Sequence, residues 1–150
     1  MKVRNASAED VVLYSLAVDG AGHVLRELEG RPAFRLTEFA SRDGCDQVML
    51  HPWLLDGLLE LKRHFGGPTV RINSGFRTKR HNKAVGGRQP GPKRTGGSRH
   101  LYGYAADVDV IGVRPKLVAD WAESQGWGGV GRYQTFTHLD VWGEGRRWKP

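Results

Sequence analysis

His100, Asp107 and His138 are the residues whose types and spacing suit shared chemistry, and Asp140 lies close by. His100 and Asp107 sit in the stretch from Ser98 to Asp109, SRHLYGYAADVD. Gly103 bends the chain between them, and the β-prone run from Ala105 to Ile111 carries the carboxylate. The second stretch, Thr135 to Trp142, reads TFTHLDVW. Its alternation puts Phe136, His138, Asp140 and Trp142 on one face of a strand. Two imidazoles and one carboxylate on neighbouring strands form a three-ligand set suited to catalytic zinc with an open fourth position. An unpaired carboxylate in an apolar strand is costly, so the strand's Asp needs a cation or hydrogen-bond donors. Asp109 shares the strand face of Asp107, so spacing alone leaves the ligand open between the two.

The elements that must position these groups follow from pattern. Val11 to Val18 is expected as a strand, with Asp19-Gly20 turning the chain toward His23-Val24-Leu25. Phe34 to Met49 reads as a loop tucked onto the core by Phe34, Leu36 and Phe39. Pro52 opens a helix in which Leu54, Leu55, Leu58, Leu59, Leu61 and Phe65 recur at helical spacing, and Gly66-Gly67 ends it. His51 and His64, at its ends, are expected to cap or to lie exposed. Thr69 to Asn73 is a short strand, Ser74 to Thr78 a turn, and Thr78 to about Val85 a short helix. Gly86 to Ser98, GGRQPGPKRTGGS, is expected as a mobile loop. Pro115 opens a second amphipathic helix, which Gly126 closes. Trp127 to Tyr133 reads as a glycine-rich approach to the His138 strand, and GEGRRWKP as a polar tail. Strands too close together for repeated crossovers predict an α+β fold, a small antiparallel sheet with flanking helices, in one domain over residues 1–150.

The chain has 150 residues, a formal charge of +7 and a single cysteine, Cys45, so no internal disulfide is possible. The charge favours polyanionic partners, among them nucleic acid, anionic membranes and the bacterial wall. From Lys79 to Arg99 there are seven Lys/Arg and no acid. No aromatic residue lies between Phe76 and Tyr102. Base stacking is therefore unsupported, and no nucleic-acid partner is expected. No apolar run is long enough for a membrane span. The N-terminus reaches Glu9 and Asp10 before any apolar run and is not read as a secretory signal.

Ser98-x-His100-x-x-Gly103-x-Ala105-x-Asp107, followed by His138 in a TFTHLD strand, resembles the zinc D-Ala-D-Ala carboxypeptidase family. These are hedgehog-like LAS metallopeptidases that cut peptidoglycan peptides. SGFRTKRHN, EFASRDGCD, GGVGRYQTFTHLDV and the late Arg147-Trp148 are similar to the subgroup of small cell-wall endopeptidases and phage lysins. The likeness covers residues 34–148, leaving 1–33 as a lead-in. It implies a hedgehog/DD-peptidase-like fold and one Zn2+ held by His100, Asp107 and His138, which selects Asp107 over Asp109. It also implies that Arg77 acts at the scissile carbonyl or on a substrate carboxylate, and that Asn82 and Ser98 bind substrate.

The resemblance departs at one position. Many relatives carry Glu or His three residues before the last zinc histidine, and this chain has Thr135, which is no base. Asp140 is the nearest titratable candidate, either as the general base or as a residue that orients an imidazole. His81 and Tyr133 are weaker candidates. The expected function is peptidoglycan hydrolysis by a monomeric, lysin-like endopeptidase or D,D-carboxypeptidase, made in the cytoplasm and acting at the wall after release. Two other readings are a cytoplasmic D-Ala-D-Ala dipeptidase and a zinc-stabilised wall-binding module without catalysis.

Overall fold

A computed structural model describes residues 8–66, 69–92, 96–143 and 145–150. Expectations that touch Gly67, residues 93–95 of the basic loop, Glu144 of the tail or residues 1–7 lie, to that extent, outside the described residues.

After a 3-10 turn at Ala8–Asp10 come β1 (Val12–Ser15), α1 (Leu16–Asp19), β2 (Val24–Leu28) and β3 (Arg31–Arg35). A second 3-10 turn, Leu36–Phe39, leads to β4 (Gln47–Leu50), α2 (Pro52–Phe65), β5 (Val70–Ser74) and α3 (Lys79–Ala84). A third, Arg99–Tyr102, precedes β6 (Ala105–Val110), α4 (Pro115–Ser124), β7 (Gly129–Arg132), β8 (Thr137–Asp140) and β9 (Arg146–Trp148). β1 pairs with β4 and β2 with β3, while five strands form the sheet β5-β6-β8-β7-β9. The fold is α+β, as expected. The sheet is antiparallel except at its edge, where β9 runs parallel to β7. The segment taken for a loop at Phe34 to Met49 contains the end of β3, a 3-10 turn and β4, and the expected Val11 to Val18 strand gives way to α1 at Leu16.

α2 starts as its sequence demands. Pro52 occupies the first turn, where its missing N–H costs nothing, and His51 Nδ1 accepts the Trp53 amide at 3.0 Å. Gly66 ends it at φ +68°. Leu54, Leu55, Leu58 and Leu61 are buried in a core that also takes Phe34, Phe39, Val108, Trp127 and Leu139. Gly57 looks out of place mid-helix, where glycine costs about 1 kcal/mol against alanine. A Cβ there would meet the buried Trp127 ring at 2.5 Å, so the helix approaches the indole as closely as it does because position 57 is bare.

β6 shows the two-residue period of a strand with unlike faces. Ala106, Val108 and Val110 turn into the core, leaving Ala105, Asp107 and Asp109 on the opposite face. β8 lies beside it with Asp107 opposite His138 and Ala105 opposite Asp140. The sheet register therefore brings the chemical groups together.

Candidate metal centre

His100, Asp107 and His138 each present one donor atom, and these atoms lie within 4.8 Å of one another. His100 comes from the 3-10 turn after Ser98, whose hydroxyl caps that turn, and Gly103 closes it in the left-handed region at φ +77°. A Cβ at Gly103 would also strike the Met49 backbone, so glycine is required there twice over. Asp107 and His138 are cross-strand neighbours. All three side chains are buried.

Hydrogen bonds fix which ring nitrogens face the centre. His100 Nδ1 is 2.7 Å from the Gly75 carbonyl, so it donates there and leaves Nε2 toward Asp107, 3.2 Å away. His138 Nε2 donates to Asp140 Oδ2 at 2.8 Å, and Nδ1 lies 2.9 Å from Asp107 Oδ1. These separations are close to the roughly 3.3 Å between two ligands on one tetrahedral zinc. Two imidazole nitrogens and a carboxylate, each ring held from behind by an oxygen, make a donor set that fits a divalent ion such as zinc.

The electrostatics agree with the hydrogen bonding. Burial pushes the His100 pKa down, against the pull of Asp107, and keeps that ring a neutral donor. Burial alone would raise the Asp107 carboxyl, but the two imidazoles hold it below the usual carboxylate range. For His138, burial is outweighed by the hydrogen bonds and charges of Asp107 and Asp140, which carry its pKa up to about 9 in the metal-free protein.

Asp140 is fully buried and has a donor on each oxygen. Oδ2 takes the His138 ring, and Oδ1 takes the Trp142 amide at 3.0 Å together with the Arg146 guanidinium. Arg146 and Trp148 arrive on β9, the strand the sequence hid in a polar tail. Trp148 packs against His138 with ring centroids 5.0 Å apart and donates its indole N–H to the Tyr133 hydroxyl at 3.1 Å. The glycines of β7 make room for both. A Cβ at Gly129 would enter the Asp140 carboxylate, and one at Gly131 would meet the Trp148 indole at 2.6 Å.

Arg77 follows the β5 strand. Its Nε donates to Ser74 Oγ at 2.9 Å, Nη1 to Asn82 Oδ1 at 3.3 Å and Nη2 to Asp107 Oδ2 at 3.0 Å. Its guanidinium has five N–H groups, so two remain for a visitor. Asn82 is fully buried, and its amide nitrogen donates to the Arg88 carbonyl. It therefore braces Arg77 and the basic loop from behind. Ser98, Arg77, Tyr133 and the three donors line one cleft of about 580 Å³, with Arg88, Arg99, Phe136, Asp140, Arg146 and Trp148. Thr135 is exposed and His81 half-buried, and neither is among the residues lining the cleft. Asp109 is taken up by Arg71, its cross-strand partner, at 2.7 Å.

Sequence reasoning missed Arg146, and it used Trp148 only as part of the resemblance, with no place in the site. Nothing in a three-residue strand announces its partner. No helix among the described residues is long and apolar enough to cross a membrane.

No curated protein matches the chain in a sequence search. A family model described as Peptidase M15 matches residues 31–140, a span that includes Arg77, all three donors and Asp140. With that match over most of its length and a buried His-Asp-His cluster in place, the chain belongs to the Peptidase M15 family.

Proposed function

We propose that this M15 peptidase is a zinc enzyme that hydrolyses peptide bonds of bacterial peptidoglycan, in stem peptides or in the crosslinks between them. It acts as a monomeric endopeptidase at the cell wall. The observation that carries this reading is the placement of three converging metal donors in an open cleft walled by guanidinium groups. An open cleft admits a peptide within a polymer, and basic walls suit an anionic one.

Zinc held by His100 Nε2, His138 Nδ1 and an Asp107 oxygen would supply Lewis acidity and a water acidic enough to ionise near neutral pH. The chain's own residues do the rest. Arg77 lines the cleft with two N–H groups unused, and these would bind the scissile carbonyl oxygen and stabilise the charge that develops on it. Tyr133 accepts the Trp148 indole N–H and so keeps its own hydroxyl proton available to a substrate oxygen or to the departing amine. Asp140 has both oxygens engaged, so of its two candidate roles we assign orientation: it holds the His138 ring with Nδ1 forward. Asn82 and Ser74 fix the Arg77 fork and do not need to meet substrate.

Mass spectrometry of purified peptidoglycan after incubation with the zinc-loaded protein tests the proposal. Fragments with new amino and carboxyl ends are expected, and their masses identify the bond. Thr135 stands where many relatives of the resembling family carry Glu or His and cannot itself act as a base, which favours a second reading, a zinc-stabilised module that binds wall without cutting it. Full zinc occupancy with no new ends would select that reading.

A further inference from the structure

We propose that Arg99 and Arg88 form a carboxylate-binding subsite beside the metal donors, so that the substrate is a peptide bearing a free acidic group a few bonds from the one that is cut. This deepens the peptidase reading and rests on it for the word substrate, though not for the binding site itself.

Arg99 lies between the capping Ser98 and the donor His100, on the same 3-10 turn. Its guanidinium sits over the Trp142 indole, 4.7 Å from the ring centroid, and Trp142 in turn stacks with Tyr104 at 5.5 Å and 13°. Stacking of this kind fixes the plane of a guanidinium without using its N–H groups. Among the described residues no side chain or carbonyl accepts a hydrogen bond from it. The other arginines closest in role are matched by acids, Arg77 with Asp107 and Arg146 with Asp140, both in the same cleft.

Arg88 faces the same cleft from the basic loop. Its backbone is pinned on two sides, since its carbonyl accepts the Ser98 amide at 2.8 Å and the Asn82 amide at 3.0 Å. No described side chain pairs with its guanidinium. Arg99 is partly buried. The guanidinium residues Arg88, Arg99 and Arg146 line the same cleft, and of these three only Arg146 has a carboxylate bonded to it. A carboxylate entering the cleft beside Arg88 and Arg99 takes up idle donors in the bidentate manner that guanidinium favours. Because these residues share one cleft with the metal donors, the anion belongs to the molecule that carries the scissile bond.

The test compares a synthetic stem peptide with free side-group carboxylates against the same peptide with those carboxylates as carboxamides. Binding to metal-free protein is measured by calorimetry, and cleavage by zinc-loaded protein is measured in parallel. Wild type should bind the carboxylate form about ten- to a hundredfold more tightly, the size of one charge-assisted hydrogen-bonded contact. Arg99→Gln and Arg88→Gln should bind both forms alike while keeping the wild-type melting temperature, and Arg71→Gln, outside the cleft, should discriminate as wild type does. Equal binding of the two peptides by wild type, or undiminished discrimination in Arg99→Gln, overturns the subsite. Discrimination in binding without cleavage of either peptide keeps the subsite and overturns the peptidase reading. Cleavage of both at equal rates with equal binding does the reverse.

Discussion

Gly129 on β7 lies directly opposite Asp140 on β8, and the volume a Cβ would take at Gly129 is filled by the Asp140 carboxylate and Arg146. A bare backbone position thus allows a buried carboxylate to stand behind a metal-binding imidazole. Gly129→Ala should force Asp140 and Arg146 to move, at a cost of about 1–3 kcal/mol in stability. Zinc affinity should fall with it. Thermal melts and a zinc titration on the same variant check both, and unchanged zinc affinity would remove Asp140 from the orienting role.

Asp140→Asn tests that role without adding volume. An amide can accept from His138 with its oxygen only by turning its NH2 toward the Trp142 amide and Arg146, which are themselves donors. One set of contacts must fail either way. Zinc affinity should drop about 10- to 100-fold. If activity vanished while zinc affinity stayed at the wild-type value, Asp140 would be the proton acceptor instead.

The His138 ring sets a pH dependence whose sign is fixed by its raised pKa, about 9 in the metal-free protein. Its charged form stabilises the fold fully below its unfolded value of about 6.5, and this is lost as pH rises through about 9. His100 works in the opposite window. Burial depresses its pKa, so its contribution is present above about 6.5 and fades only on acidification. The melting temperature of chelator-treated protein should therefore fall from about pH 6.5 to 9. A metal ion must displace the Nδ1 proton of His138, so zinc affinity should tighten about tenfold per pH unit below that pKa. Melts and titrations across this range decide it, and a pH-independent affinity would contradict the account.

Much of this site was legible because strand alternation is strict. The pattern of each strand puts His138 on one face with Asp140, and Asp107 on one face with Asp109. Pattern alone does not choose between Asp107 and Asp109, and the family resemblance is what selects Asp107. The structure separates the two by what lies across the sheet, Arg71 beside Asp109 and two imidazoles beside Asp107. β7 read as a linker because glycines lower strand propensity. Their reason for being there, the side chains of Asp140 and Trp148, is contributed by other strands. β9 is three residues paired in parallel with a distant partner, and local sequence carries no record of such a contact. Asn82 is expected at the substrate from the resemblance, and only packing reveals that its side-chain oxygen accepts from Arg77 and its nitrogen donates to the Arg88 carbonyl.

Arg77 and His138 should separate binding from chemistry. His138→Ala removes a donor and should lose both zinc and activity. Arg77→Ala leaves all three donors and should retain zinc, while activity falls about 100- to 1,000-fold, as for loss of an oxyanion donor. Circular dichroism confirms folding in each case. Full activity in Arg77→Ala would refute its place at the scissile carbonyl.

The most direct measurement is the appearance of new amino groups from purified peptidoglycan, followed in one sample before chelation, after chelation and after zinc is returned. The account predicts release that stops with the chelator and resumes with about one zinc per chain, and no release at any stage from His138→Ala. Release that continues unchanged in metal-free protein, or none from protein with zinc fully bound, would contradict it.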